Sequence, residues 1–160
     1  ALDRLTLARV DLLRVALGMS PAQGTEADAE FDAVIQALRG AGLLDLLATG
    51  LLARAWHRSL SGRPTGAAGA QVDLDEAWTI AERGPMRLLM ADVLLTRARL
   101  YGPRCGGDGR PHYPWPSGAH DLAEARRLIE QCGYGRRREE LDDAEAASRR
   151  WPLAAAADHR

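Results

Sequence analysis

The feature that most constrains this chain is an alternation of two kinds of helix-forming segment, repeated three times along its length. One kind opens on an apolar residue, an alanine and a polar residue: Leu7-Ala8-Arg9, Leu52-Ala53-Arg54 and Met90-Ala91-Asp92. The other carries an acidic residue and an alanine, then an apolar stripe, then a glycine: Asp32-Ala33 to Gly40, Glu76-Ala77 to Gly84, and Glu124-Ala125 to Gly133. With the first kind termed A and the second B, the order is A, B, A, B, A, B. The A alanines recur after 45 and 38 residues (8, 53, 91) and the B alanines after 44 and 48 (33, 77, 125). A period of this length is the mark of stacked helical pairs, none of which can bury its apolar face alone. Small alanines at the recurring positions let helices approach closely, and Leu, Ile and Trp fill the space between them.

Composition supports helices over strands. Only 5% of the residues are aromatic, and alanine and leucine, both strong helix formers, dominate the 46% that are hydrophobic. A compact chain of 160 residues buries roughly 70% of its unfolded surface, enough for a core without staples. Local punctuation divides the chain in the same places. Gly84-Pro85 sets a helix-stopping glycine before a proline suited to a following first turn. Asp73 or Asp75, and Asp121, stand where a cap or a favourable dipole contact is wanted.

The reading is an all-α solenoid of about three antiparallel helix pairs, approximately 2–42, 43–84 and 85–133, with a C-terminal capping helix at 136–151. Leu141, Ala144 and either Ala147 or Ser148 form the stripe on which the capping helix docks. Residues 1–151 make one repeat domain and 152–160 a flexible tail, and the start at Ala1 within a helical pattern suggests a fragment of a larger protein. Two connections interrupt the helices. Residues 61–69 read as a plain linker, whereas 102–118 hold Pro103, Pro111, Pro114 and Pro116 around Tyr113 and Trp115. The two rings either stand out as partner-binding anchors or fold back and tie the loop down; packing is the expectation.

Four stretches carry a family resemblance: Gly50-Leu51-Leu52-Ala53-Arg54-Ala55; Leu74 to Leu88; Arg97-Ala98-Arg99-Leu100 through Tyr113-Pro114-Trp115 to Leu128-Ile129-Glu130; and Gly133-Tyr134-Gly135-Arg136-Arg137 to Glu140-Leu141. Together they resemble tetratricopeptide (TPR) repeats, and in particular the C-terminal TPR arm of bacterial multidomain signalling proteins with a NACHT or related STAND-type nucleotide-binding domain. The chain departs from the common pattern in having repeats longer than the usual ~34 residues and few of its bulky aromatic positions. The resemblance implies a non-enzymatic sensor or scaffold arm that binds a protein or peptide through the outward face of the A helices. The residues on that face would be Arg9 and Leu13, then Arg54, His57 and Arg58, then Asp92, Leu95 and Thr96. Arginine forks favour carboxylates, so an acidic partner is expected. Self-association that assembles the parent protein is the alternative.

Other function classes fit less well. A net charge of −1 gives no general pull toward phosphate backbones or anionic lipid. The Arg136 to Arg138 triplet is followed by Glu139, Glu140, Asp142 and Asp143, which pair with it and weaken any nucleic-acid site. Cys105, His112, His120 and Cys132 lack the close ligand pairs of a structural zinc site. A metal-dependent enzyme built on the Cys105 and His112 loop is the remaining enzymatic alternative, and Cys105-Gly106-Gly107-Asp108-Gly109 lacks the lysine of a phosphate loop. No catalytic residue, metal or cofactor is expected. No run approaches the ~20 apolar residues of a membrane span, and no secretory leader pattern is present, so the expected compartment is the cytoplasm.

Overall fold

The computed structural model describes residue 6, residues 24–104 and residues 112–151. Arg9, Leu13, Cys105 and the 152–160 tail lie outside the described residues, as does most of the first A segment. Among the described residues there are six α-helices, one short 3-10 helix and no strand. The helices are α1 (Gly24–Gly40), α2 (Leu44–Leu60), α3 (Ala70–Arg83), α4 (Arg87–Tyr101), α5 (Gly118–Gln131) and α6 (Arg138–Ser148), with the 3-10 helix at Gly135–Arg137. The chain divides into two compact units, Ala1–Pro85 and Met86–Arg160.

In the first unit α2 packs against both α1 and α3. Helix α1 offers a single stripe, Phe31, Val34, Ile35 and Leu38, all buried and spaced as one face of a helix. Helix α2 has neighbours on two sides, and it therefore buries Leu47, Ala48, Leu51, Ala53, Ala55, His57 and Ser59 around much of its circumference. Helix α3 meets it with Ala70, Asp73, Leu74, Ala77 and Ala81. Each fully buried leucine here contributes roughly 1.5–3 kcal/mol, while the alanines contribute mainly by letting the backbones come close.

The second unit is built differently, as three helices in mutual contact. Helix α4 packs against α5 and α6, and α5 packs against α6. Like α2, α4 is buried almost throughout, from Ala91 and Val93 to Leu100 and Tyr101. Leu122, Ala125, Leu128 and Ile129 of α5 and Leu141 and Ala144 of α6 complete the core. The capping segment expected at 136–151 is thus a 3-10 turn followed by a helix ending at Ser148.

Four of the six recurring alanines, Ala53, Ala77, Ala91 and Ala125, are buried between helices. Ala8 lies outside the described residues, and Ala33 is exposed. The stripe of α1 runs through Val34 and Leu38 rather than Ala33, so its register is shifted by one residue from that of the other B helices. The helix stops are also displaced at one place. Helix α1 runs through Gly40, and the left-handed residue is Gly42, at φ 68°. There the Leu43 N–H returns to the Leu38 carbonyl and the Gly42 N–H to Arg39, a closure that strongly favours glycine. Gly133, at φ 64°, ends α5 in the same way, with the Tyr134 N–H on Ile129. The start of α5 is capped by Ser117, whose Oγ accepts from the His120 N–H at 3.0 Å, leaving Asp121 in the first turn. Among the described residues, no helix is long and apolar enough to cross a membrane.

Candidate functional site

The A-helix residues expected to face a partner occupy different surroundings from those the outward-face reading assigned them. Leu95 is 2% exposed and Thr96 9%. Helix α4 packs against both α5 and α6, and this stretch of it is buried nearly all round. Asp92 accepts from Arg137 Nε at 2.7 Å, and Thr96 Oγ returns to the Asp92 carbonyl. His57 is likewise buried, stacked at a tilt on Phe31 with ring centroids 5.3 Å apart.

Arg54 and Arg58, one helical turn apart on α2, do converge. Between them lies Asp73 in the first turn of α3, its side chain fully buried. Arg54 Nε donates to both Asp73 oxygens at 3.2 Å and Nη2 to Oδ1 at 2.7 Å. Arg58 Nη1 approaches both oxygens at 3.0 Å. The remaining edge of Arg54 faces α1, where Nη1 donates to Asp32 Oδ1 at 2.5 Å; Arg58 Nη2 stands 3.8 Å from the same oxygen. The two carboxylates differ in exposure. The Asp73 side chain is at 0%, that of Asp32 at 57%, and the arginines are at 11% and 12%.

Burial pushes the Asp73 carboxyl above its ordinary range, against the pull of Arg54 and then Arg58. The Arg54 guanidinium is held more firmly protonated, because Asp73 and Asp32 together outweigh the burial that opposes its charge. A second cluster sits beside the first. Asp28 of α1 shares a 2.9 Å hydrogen bond with His57 Nε2 and receives Arg63 Nη2 at 2.6 and 2.7 Å. Burial would raise Asp28, but Arg63 and His57 prevail and hold it below the usual carboxylate value.

In the second unit residues 112–117, the described end of the proline-rich loop, fold back. Tyr113 donates to Asp121 Oδ2 at 2.7 Å, Trp115 meets Tyr101 and Tyr113 edge-on, and the Arg97 guanidinium lies 4.3 Å from the Trp115 ring centre. Asp121 is almost fully buried, and burial raises its carboxyl against Tyr113 and Arg97. Burial, with the Asp121 charge beside it, also drives the Tyr113 hydroxyl far above its ordinary value, so it acts as a fixed donor. Trp151 closes the base of this loop against Gly102 and Gly118, where an added Cβ would stand 2.4 and 2.8 Å from its ring.

Sequence reasoning identified the arginines but missed the acids they hold. The missed signal is a double motif: Leu51-Leu52-Ala53-Arg54-Ala55 followed by Asp73-Leu74-Asp75-Glu76-Ala77, then Leu94-Leu95-Thr96-Arg97-Ala98 followed by Asp121-Leu122-Ala123-Glu124-Ala125. In each copy the arginine is on the first helix and the aspartate is buried in the first turn of the next. Arg54 and Arg97 each precede a fully buried alanine, Ala55 and Ala98. Of the other expected chemistry, His112, His120 and Cys132 are exposed. No group of three or more His, Cys, Asp or Glu able to hold a metal occurs among the described residues. No protein-family model, no curated protein and no solved structure matches this chain.

Proposed function

We propose that this chain is a non-enzymatic protein-interaction module of TPR-like helical pairs, the sensor or scaffold arm of a larger bacterial cytoplasmic signalling protein. The observation that carries the reading is the repeated unit itself. Two copies of the double motif each pair a largely buried helix, α2 or α4, with the helix that follows it, through buried alanines. Arrays built this way spend their apolar faces on neighbouring helices and use side chains on the remaining surface for recognition. The surface in question is the α1–α2 edge, where the exposed Asp32 carboxylate covers the nearly buried forks of Arg54 and Arg58.

The test uses the full chain as bait in cross-linking capture from its native host, followed by calorimetry with each captured protein in purified form. Saturable binding that weakens at least about tenfold on Arg58→Ala, in a variant with unchanged far-UV circular dichroism, supports the reading. Undiminished binding to that variant removes this edge from the interaction. No purified partner showing saturable binding removes the interaction function.

A further inference from the structure

We propose that Arg54 and Arg58 form a carboxylate-exchange site in which Asp32 is the intramolecular occupant and an acidic side chain or terminal carboxylate of a partner is the ligand that replaces it. The inference rests on the partner-binding reading above and specifies its chemistry and its control. The two acids on these guanidiniums have unequal hold. Asp73 is sealed from water and takes close approaches from both arginines, so it stays with them. Asp32 takes one short bond from Arg54 and a loose contact from Arg58, and more than half of its side chain meets water.

Charge balance explains why an occupant is wanted. Two guanidiniums meet one buried carboxylate, which leaves one positive charge to be answered from outside the core. Asp32 is the acid that can leave, because its own carboxylate is already more than half in water and regains full solvation on release. Once it leaves, Arg54 Nη1 and Arg58 Nη2 present donors from neighbouring turns, with Asp73 holding both side chains extended. That is the pre-positioned fork that suits a carboxylate. Asp28 does not compete for this place, since Arg63 and His57 already hold it. The site is thus self-occupied and opens when α1 gives up one acid.

The experiment titrates the full chain with fluorescein-labelled hexaglutamate at low ionic strength, read by anisotropy. Asp32→Asn keeps the side-chain shape, removes the internal competitor, and tightens binding about fivefold. Asp142→Asn removes a charge from an equally exposed carboxylate on α6, paired with Arg126, and changes binding by less than about twofold. In nitrogen-15 spectra of Asp32→Asn, the Arg54 and Arg58 Nε–H resonances move with hexaglutamate. Equal tightening by both variants, no tightening by Asp32→Asn, or unmoved arginine resonances would overturn the proposal. These outcomes are separable from the capture experiment. A purified partner that binds while hexaglutamate ignores Asp32→Asn removes the exchange site and leaves the module, and the reverse result removes the module's function and leaves the site.

Discussion

Replacing Asp73 by alanine puts the internal electrostatics of the first unit to a quantitative test. The substitution deletes the acceptor that two nearly buried arginines share, leaving Arg58, among the described residues, with its 3.8 Å contact to Asp32 and a weak bond to the Gly69 carbonyl at 3.4 Å. Removing one member of a buried pair costs about 3–5 kcal/mol. Arg54 keeps Asp32 and both guanidiniums retain a little access to water, so the low end, about 3 kcal/mol, is expected. Hydrogen exchange followed by mass spectrometry suits the measurement, because it reads residues 44–60 and 70–83 separately from the second unit. The slowest amides there should exchange about a hundredfold faster. A charge-free set, Asp73→Leu with Arg54→Met and Arg58→Met, should restore most of that protection, since the desolvation of all three ions disappears together. An Asp73→Ala effect below about tenfold would refute the assignment of a buried shared acceptor. A charge-free set as weak as Asp73→Ala would refute the desolvation argument.

Two further outcomes follow from neighbouring geometry. Gly118→Ala drives a methyl to 2.8 Å from Trp151, and should lower the stability of the second unit by roughly 1–3 kcal/mol in thermal unfolding. Most of that loss should vanish in a Trp151→Ala background, and an undiminished loss would show that the ring is not what the methyl meets. Acid titration separates the two kinds of aspartate. The folded-state value of Asp28 lies below its ordinary 3.8, so its stabilisation is complete above the unfolded value and is lost as pH falls through the folded one. Asp73 has the opposite sign: its folded value lies above 3.8, so stability declines as pH rises between the two. Asp28→Asn should therefore flatten the acid limb of exchange-derived stability below about pH 4 and leave the slope above it, and an unchanged acid limb would contradict the assignment.

Helical character was legible because alanine and leucine dominate and because stops are written locally. Gly133 reads correctly from its place after an apolar stripe, whereas Gly40 misleads because Gly42, two residues on, adopts the left-handed conformation. Register was legible only in part. Alanine is so common here that Ala33 matched Ala77 by identity while facing water in the structure. The polar partners were not legible at all, for a physical reason. Arg54 meets acids 19 and 22 residues away, on two different helices, and only the packing of both against α2 brings them to one guanidinium. The repeated arginine and aspartate motifs held the information, but charge in a helical repeat ordinarily denotes a solvated face, and burial overturned that prior. Tyr113 and Trp115 were placed by the expected folding back of the loop, with Asp121 as the unforeseen anchor.

The clamp of Trp151 on Gly102 and Gly118 has a bearing on how this chain can change. It brings the end of α4 and the start of α5 to one ring, beside the anchor that Tyr113 and Trp115 make on Asp121 and Tyr101. Doubling the length of the connection between those helices costs only about 0.6 kcal/mol in closure entropy. Length added between Arg104 and His112 should therefore weigh little on the pairing of α4 and α5, which the Trp151 ring and the Tyr113 bond to Asp121 hold on either side.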